Sequence, residues 1–162
     1  MGWGLGRRDE YQHFNAGSSG VHRGRLASET MESVYRLLTQ DNVTYQGEYV
    51  RFKDVSLYPK PIQNPPSIYI AGETPDTPNR VARWATGQLM SMLSSSHPVS
   101  ERLDALATAL EEQGRKMSDI DKSVVIVQNI APTHEEAIAN FRRSQIGSHV
   151  KEDRVDKVIA DN

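Results

Sequence analysis

The chain has 162 residues, with 19 lysines and arginines against 21 aspartates and glutamates, for a formal net charge of −2. That near-neutral balance argues against nucleic-acid binding, which needs basic surface to neutralise phosphates. The absence of cysteine excludes disulfides, thiolate metal sites and cysteine nucleophiles, and no apolar run approaches the roughly 20 residues that span a bilayer. At 37% hydrophobic and 25% charged residues the composition is that of one folded domain. Met1 to Glu10 lacks the apolar core of a secretory signal, so the expected location is cytoplasmic.

Residues 1–66 read as loop, helix, hairpin and proline-rich segment. Glycines punctuate Met1 to Arg25, with at most a short helical turn near Arg7 to Tyr11. Met31, Val34, Tyr35 and Leu38 then share one face of a helix predicted from Leu26 to Thr39. Val43 to Phe52 alternates about Gln46-Gly47 as a β-hairpin does. The prolines from Pro59 to Pro66 hold the following segment extended.

Residues 67–145 read as βαβαβα units. Strands are predicted at Ser67–Ala71, Leu89–Leu93 and Ser123–Val127, the last nearly all apolar, as strands covered on both faces are. Helices are predicted from Pro75 or Pro78 to Ala85, from Ser96 to about Gly114 with Val99, Leu103, Leu106 and Leu110 on one side, and after a Thr133–Glu136 capping box. This alternation means a parallel sheet, with the three strands adjacent in chain order. Residues 146–162 form a charged tail, expected to be a loose helix or disordered.

The best local candidate for chemistry is Ala71-Gly72-Glu73-Thr74-Pro75, where a strand ends in glycine and Thr-Pro opens a helix, with Thr74 as N-cap. Such a turn presents backbone N–H groups at the positive end of a helix dipole, which suits phosphate. The same residues also read as an ordinary βα connection with a good cap. His13, His22, His97, His134 and His149 include no pair at the helical spacing of a zinc site. No G-x-S-x-G elbow frames a serine nucleophile, and Ser96 reads as a helix cap. Arg7, Arg8, Arg23 and Arg25 form a basic cluster that suits either an anion or a solvated loop. Trp3 and Trp84 suit a flavin or packing, and the helical position of Trp84 favours packing. Asn42-Val43-Thr44 is a glycosylation sequon only in a secreted protein.

Several segments in register resemble the luciferase-like monooxygenases. They are the Gly-rich stretch Gly4 to Tyr11, the helix start Arg25-Leu26-Ala27-Ser28-Glu29-Thr30, and the hairpin Gly47 to Val55. Pro59-Lys60-Pro61-Ile62-Gln63, Pro65 to Gly72 and Ala82-Arg83-Trp84-Ala85-Thr86-Gly87 follow. The family often has tryptophan where this chain has Gln88. The resemblance implies part of a (β/α)8 TIM barrel, whose complete form takes about 250 residues. It implies reduced flavin mononucleotide (FMN) as cofactor, or alternatively a deazaflavin. It also implies oxidation of a small organic substrate with molecular oxygen and a flavin reductase as electron supplier. Gly72, Glu73 and Thr74 are then expected at the flavin phosphate, with Arg7 and Tyr11 bordering the pocket.

The Gly-rich loop follows about the fourth strand in that family. The chain is therefore expected to be a middle and later part of the barrel, with the catalytic residues on earlier strands and the start codon open to reassignment. Exposed sheet edges then favour homo-oligomers or aggregates. Hydride transfer with a deazaflavin, and a non-catalytic truncated barrel serving as an assembly partner, are the alternatives.

Overall fold

The computed structural model describes residues 1–6, 21–91, 97–126 and 128–144. Its elements in chain order are β1 (Gly2–Trp3), α1 (Arg23–Thr39), β2 (Val43–Gln46), β3 (Arg51–Val55) and β4 (Tyr69–Ala71). Then come α2 (Thr77–Trp84), β5 (Gly87–Ser91), α3 (Val99–Glu112), a 3-10 turn at Met117–Asp119, β6 (Asp121–Val125) and α4 (His134–Arg143). A four-stranded parallel sheet in the order β1-β4-β5-β6 carries the architecture, and β2 and β3 form a separate antiparallel hairpin. The expected parallel α/β fold, with the strands around Ile68, Met90 and Val125 side by side in that order, is the one observed. The charged tail expected over residues 146–162 lies outside the described residues.

The period-2 pattern of the strands decides which face is covered. Ile68, Ile70 and Met90 point to the helix side and are buried, where Ile68 and Ile70 pack with Val81, Ala82, Leu106 and Leu110 of α2 and α3. Trp3 is in register with Ile70 and packs against that core, as does Trp84 from α2. The opposite face carries Tyr69, Leu89 and Val125, and Leu89 and Val125 are exposed.

Two basic side chains end the helices. Lys60 donates to the carbonyls of Leu37 and Gln40 at the end of α1, tying the proline-rich segment to that helix end. Arg115 donates to the carbonyls of Ala82 and Ala85 at 2.9 Å each, closing α2. On α1, Glu29 accepts from the backbone N–H groups of Glu48, Tyr49 and Val50, which seats the hairpin turn on the helix.

Several local expectations need correction. α2 begins at Thr77 with Asp76 in the N-cap position and Pro78 in the first turn, so Thr74 and Pro75 lie outside the helix. The Thr74 hydroxyl is drawn to Arg80 and Thr77 instead of capping. Pro98 holds the N-cap position of α3, and Ser96, the expected cap, lies outside the described residues. The apolar strand β6 is not covered on both faces: among the described residues it is the last strand of the sheet, α4 buries no residue, and Val124, Val125 and Ile126 stay exposed. The strand expected at Leu89–Leu93 is described only to Ser91 and starts two residues earlier. It does so because Gly87 and Gln88 pair with Tyr69 and Ile70. Thr133 caps α4 as expected, accepting from the N–H of Glu136 at 3.2 Å.

Candidate functional site

All four sheet strands run the same way, so the loops that follow them, and the starts of α1, α2 and α3, gather at one end of the sheet. Ligands of parallel α/β folds bind at that carboxyl end. The loop after β4 is the best defined there. Gly72 has φ +146°, a conformation that residues with side chains rarely adopt, and a Cβ added to it would stand 3.2 Å from the Thr77 hydroxyl. The turn therefore folds tightly back on the start of α2. The Thr77 N–H donates to the Thr74 carbonyl at 2.9 Å, and Asp76 makes no side-chain bond to the helix N–H groups.

Arg80 lies beneath this turn and is only 5% exposed. Its guanidinium donates to Thr74 Oγ1 at 3.2 Å, to Ser28 Oγ at 3.0 Å and to Asp76 Oδ2 at 3.2 Å. One residue thereby joins the β4–α2 turn to the first turns of α1, where a Cβ at Gly24 would come within 3.0 Å of the same guanidinium. The Thr74 oxygen, accepting from Arg80, shares a 3.1 Å contact with the Thr77 hydroxyl. When Thr77 is the donor in that contact, the Thr74 proton is left to face a ligand.

The Glu73 side chain turns toward β5 and α3. Its Oε1 accepts from the N–H of Ser91 at 3.1 Å and from Arg102 Nη1 at 3.2 Å. Both side chains are largely buried, at 14% and 12% exposure. Among the described residues, Glu73 Oε2 and Arg102 Nε are buried without a hydrogen-bond partner. Glu73 can thus meet a ligand on this turn through its backbone N–H, while its carboxylate serves the protein. The structure brings Gly72, Glu73 and Thr74 together at one strand end. Arg7 and Tyr11 lie outside the described residues, as do Arg8, His13 and His149.

Arg80, Arg102 and Thr77 were not anticipated. Arg80 meets Ser28 across 52 positions and Arg102 meets Glu73 across 29, separations that no local spacing reports. Of the basic cluster, Arg23 donates to the Gly6 carbonyl at 2.9 Å and Arg25 pairs with Glu48 at 3.3 Å. His22 caps α1 by accepting from the Arg25 N–H, and His97 pairs with Glu101. Among the described residues, no group of three or more His, Cys, Asp or Glu side chains is placed to hold a metal ion, and no helix is long and apolar enough to cross a membrane.

The model of the luciferase-like monooxygenase family matches residues 1–160. An F420-dependent glucose-6-phosphate dehydrogenase of Microbacterium testaceum is 29% identical over 121 residues, covering 74% of this chain and 36% of that protein. An FMNH2-dependent dimethylsulfone monooxygenase of Pseudomonas putida is 36% identical over 66 residues, or 38% of this chain and 18% of that one. Among solved structures, a monooxygenase from Streptomyces bottropensis superposes with a TM-score of 0.69 at 25% identity, over 99% of this chain and 47% of its own. An F420-dependent secondary alcohol dehydrogenase reaches 0.71 at 18% identity, over 88% and 43%. The chain thus spans about a third of the first curated relatives and just under half of these solved ones.

Proposed function

The chain belongs to the luciferase-like monooxygenase family, and we propose that its Gly72–Thr74 turn holds the phosphate of a reduced flavin in an enzyme that oxidises a small organic substrate. The observation that carries this reading is the turn itself. At the carboxyl end of a parallel strand, a glycine with φ +146° brings the backbone against the start of a helix whose N-cap side chain makes no capping bond. Backbone N–H groups and the Thr74 hydroxyl are what a phosphate needs there, and the absent Cβ of Gly72 is what lets it approach.

FMN is the leading cofactor, with a flavin reductase as its source of electrons and Arg7 and Tyr11 at the border of the site. A reduced flavin, when bound, supplies the electrons with which oxygen is activated, and the protein supplies binding, orientation and shelter from water. Here Gly72 and Thr74 bind, Arg80 orients Thr74 from below, and the core of β4, β5, α2 and α3 keeps the turn in place. A second reading, hydride transfer with a deazaflavin, is favoured by the 74% of this chain that aligns with the glucose-6-phosphate dehydrogenase. The open faces of the sheet, with Val125 and Ile126 exposed beside the β6 edge, support association of the chain with itself.

Titration with FMN, with riboflavin as the control that lacks the phosphate, tests the reading. FMN should bind measurably tighter than riboflavin, and Thr74→Ala should narrow the difference. Equal affinity for the two would refute the phosphate assignment. An assay with a flavin reductase, read as substrate-dependent incorporation of oxygen into the product, then separates monooxygenation from hydride transfer, which incorporates none.

A further inference from the structure

We propose that Arg102 sets the anion affinity of the Gly72–Thr74 turn by neutralising the Glu73 carboxylate, so that the Glu73–Arg102 pair balances charge for a phosphate bound beside it. The inference rests on the reading of that turn as the phosphate site. A carboxylate on the middle residue of an anion-binding turn is unfavourable: two negative groups a few ångströms apart in a partly buried setting repel strongly and are little screened by salt.

The structure shows how the fold manages that charge. Glu73 Oε1 is fixed between the Ser91 N–H and Arg102 Nη1, at 3.1 and 3.2 Å, and both side chains are largely buried. The other charges on the turn already cancel, because Arg80 pairs with Asp76 at 3.2 Å. Removing Arg102 therefore leaves one net negative charge at the turn, and removing the charge of Glu73 leaves one net positive charge. Among the described residues, Arg102 Nε and Glu73 Oε2 are buried without partners, so one hydrogen bond joins a guanidinium and a carboxylate that can form two.

Four variants of the chain decide the matter by equilibrium titration with FMN and with riboflavin, folding being followed by circular dichroism. E73Q should tighten FMN binding about five- to tenfold and leave riboflavin unchanged, because Arg102 becomes an uncommitted cation. R102M should weaken FMN by a similar factor, R102K should stay near the parent, and the E73Q/R102M pair should return to within about twofold of it. A purely structural pair predicts the opposite sign for E73Q, a loss for both ligands, so the result does not depend on whether R102M folds well. If the parent chain binds FMN no better than riboflavin, the phosphate reading falls and this inference with it. If the parent prefers FMN but E73Q weakens or does not change that preference, the inference alone is overturned.

Discussion

The phenol of Tyr69 reaches across Gly87 and donates a hydrogen bond to the carboxylate of Asp121, two strands away in one row of the sheet. The contact needs glycine in the middle strand: a Cβ at position 87 would stand 2.5 Å from Tyr69 Cε1, closer than carbon atoms approach without one of them moving. All three residues open their strands, so the row lies at the end of the sheet opposite the Gly72 turn, where barrel folds concentrate stability and not catalysis.

Gly87→Ala is therefore expected to push the Tyr69 ring off Asp121 and to destabilise the chain by about 1 to 3 kcal/mol, the range for overpacking. The preference for FMN over riboflavin should persist in whatever fraction stays folded. Urea unfolding gives the first quantity and ligand titration the second. A variant as stable as the parent would show that the ring moves freely.

The hairpin depends on Glu29 in a way that acid exposes. Burial pushes the carboxyl up, but the N–H groups of Tyr49, Glu48 and Val50, helped by the charge of Arg51, outweigh it and hold the group below its ordinary 4.5. Below pH 4.5 the unfolded chain then binds more protons at this position than the folded one, so stability falls with pH until the folded carboxyl is itself protonated. Glu29→Gln should cost about 1 to 2 kcal/mol at neutral pH and flatten this acid slope. Gly47→Ala should act on the same contact, since its Cβ would come within 2.3 Å of Glu29 Oε2.

Tyr45 gives the alkaline counterpart. Burial first, and then the neighbouring Glu32 carboxylate, to which its hydroxyl donates at 3.3 Å, raise the phenol from 10 to about 12. Between those values the folded chain keeps a proton that the unfolded chain has lost, so stability declines as pH rises through the window. Tyr45→Phe should remove that decline while keeping the ring stacked on Phe52 at 6.0 Å. Unfolding free energies measured across the alkaline range, beside the near-ultraviolet titration of the phenols, would show a common slope in both proteins if the assignment is wrong.

The parallel sheet was legible because Ile68, Ile70 and the stretch Ser123-Val124-Val125 carry strand patterns between helices with clear periods, and the hairpin because Tyr45 and Phe52 alternate about a glycine. The burial of β6 was misread because an apolar run does not say whether a neighbour covers it, and Val125 is exposed for want of one among the described residues. The glycine turn was legible from Gly72 and Thr74, yet the helix start was not. Thr74 and Asp76 are both acceptable caps, and Arg80, which binds the Thr74 hydroxyl and ties it to Ser28 of a distant helix, leaves the N-cap position to Asp76. The role of the Glu73 carboxylate was hidden for the same reason, since its partners Ser91 and Arg102 are brought together only by the βαβ crossover.

Gly72→Ala brings the fold and the proposed function into one measurement. The φ of +146° is strained for alanine, and the added methyl meets Thr77 Oγ1 at 3.2 Å, so the turn must either distort or push that hydroxyl aside. Strain of this kind costs about 1 to 3 kcal/mol. The distortion falls on the backbone N–H groups proposed to bind phosphate, while the core formed by Ile70, Val81 and Leu106 is untouched. The expected outcome is a folded but less stable chain in which FMN affinity drops to that of riboflavin. Thr74→Ala, which keeps the backbone of the turn, should lose less of the difference than Gly72→Ala. If Gly72→Ala keeps the full preference for FMN while losing stability, the phosphate is held elsewhere and the turn serves the fold alone.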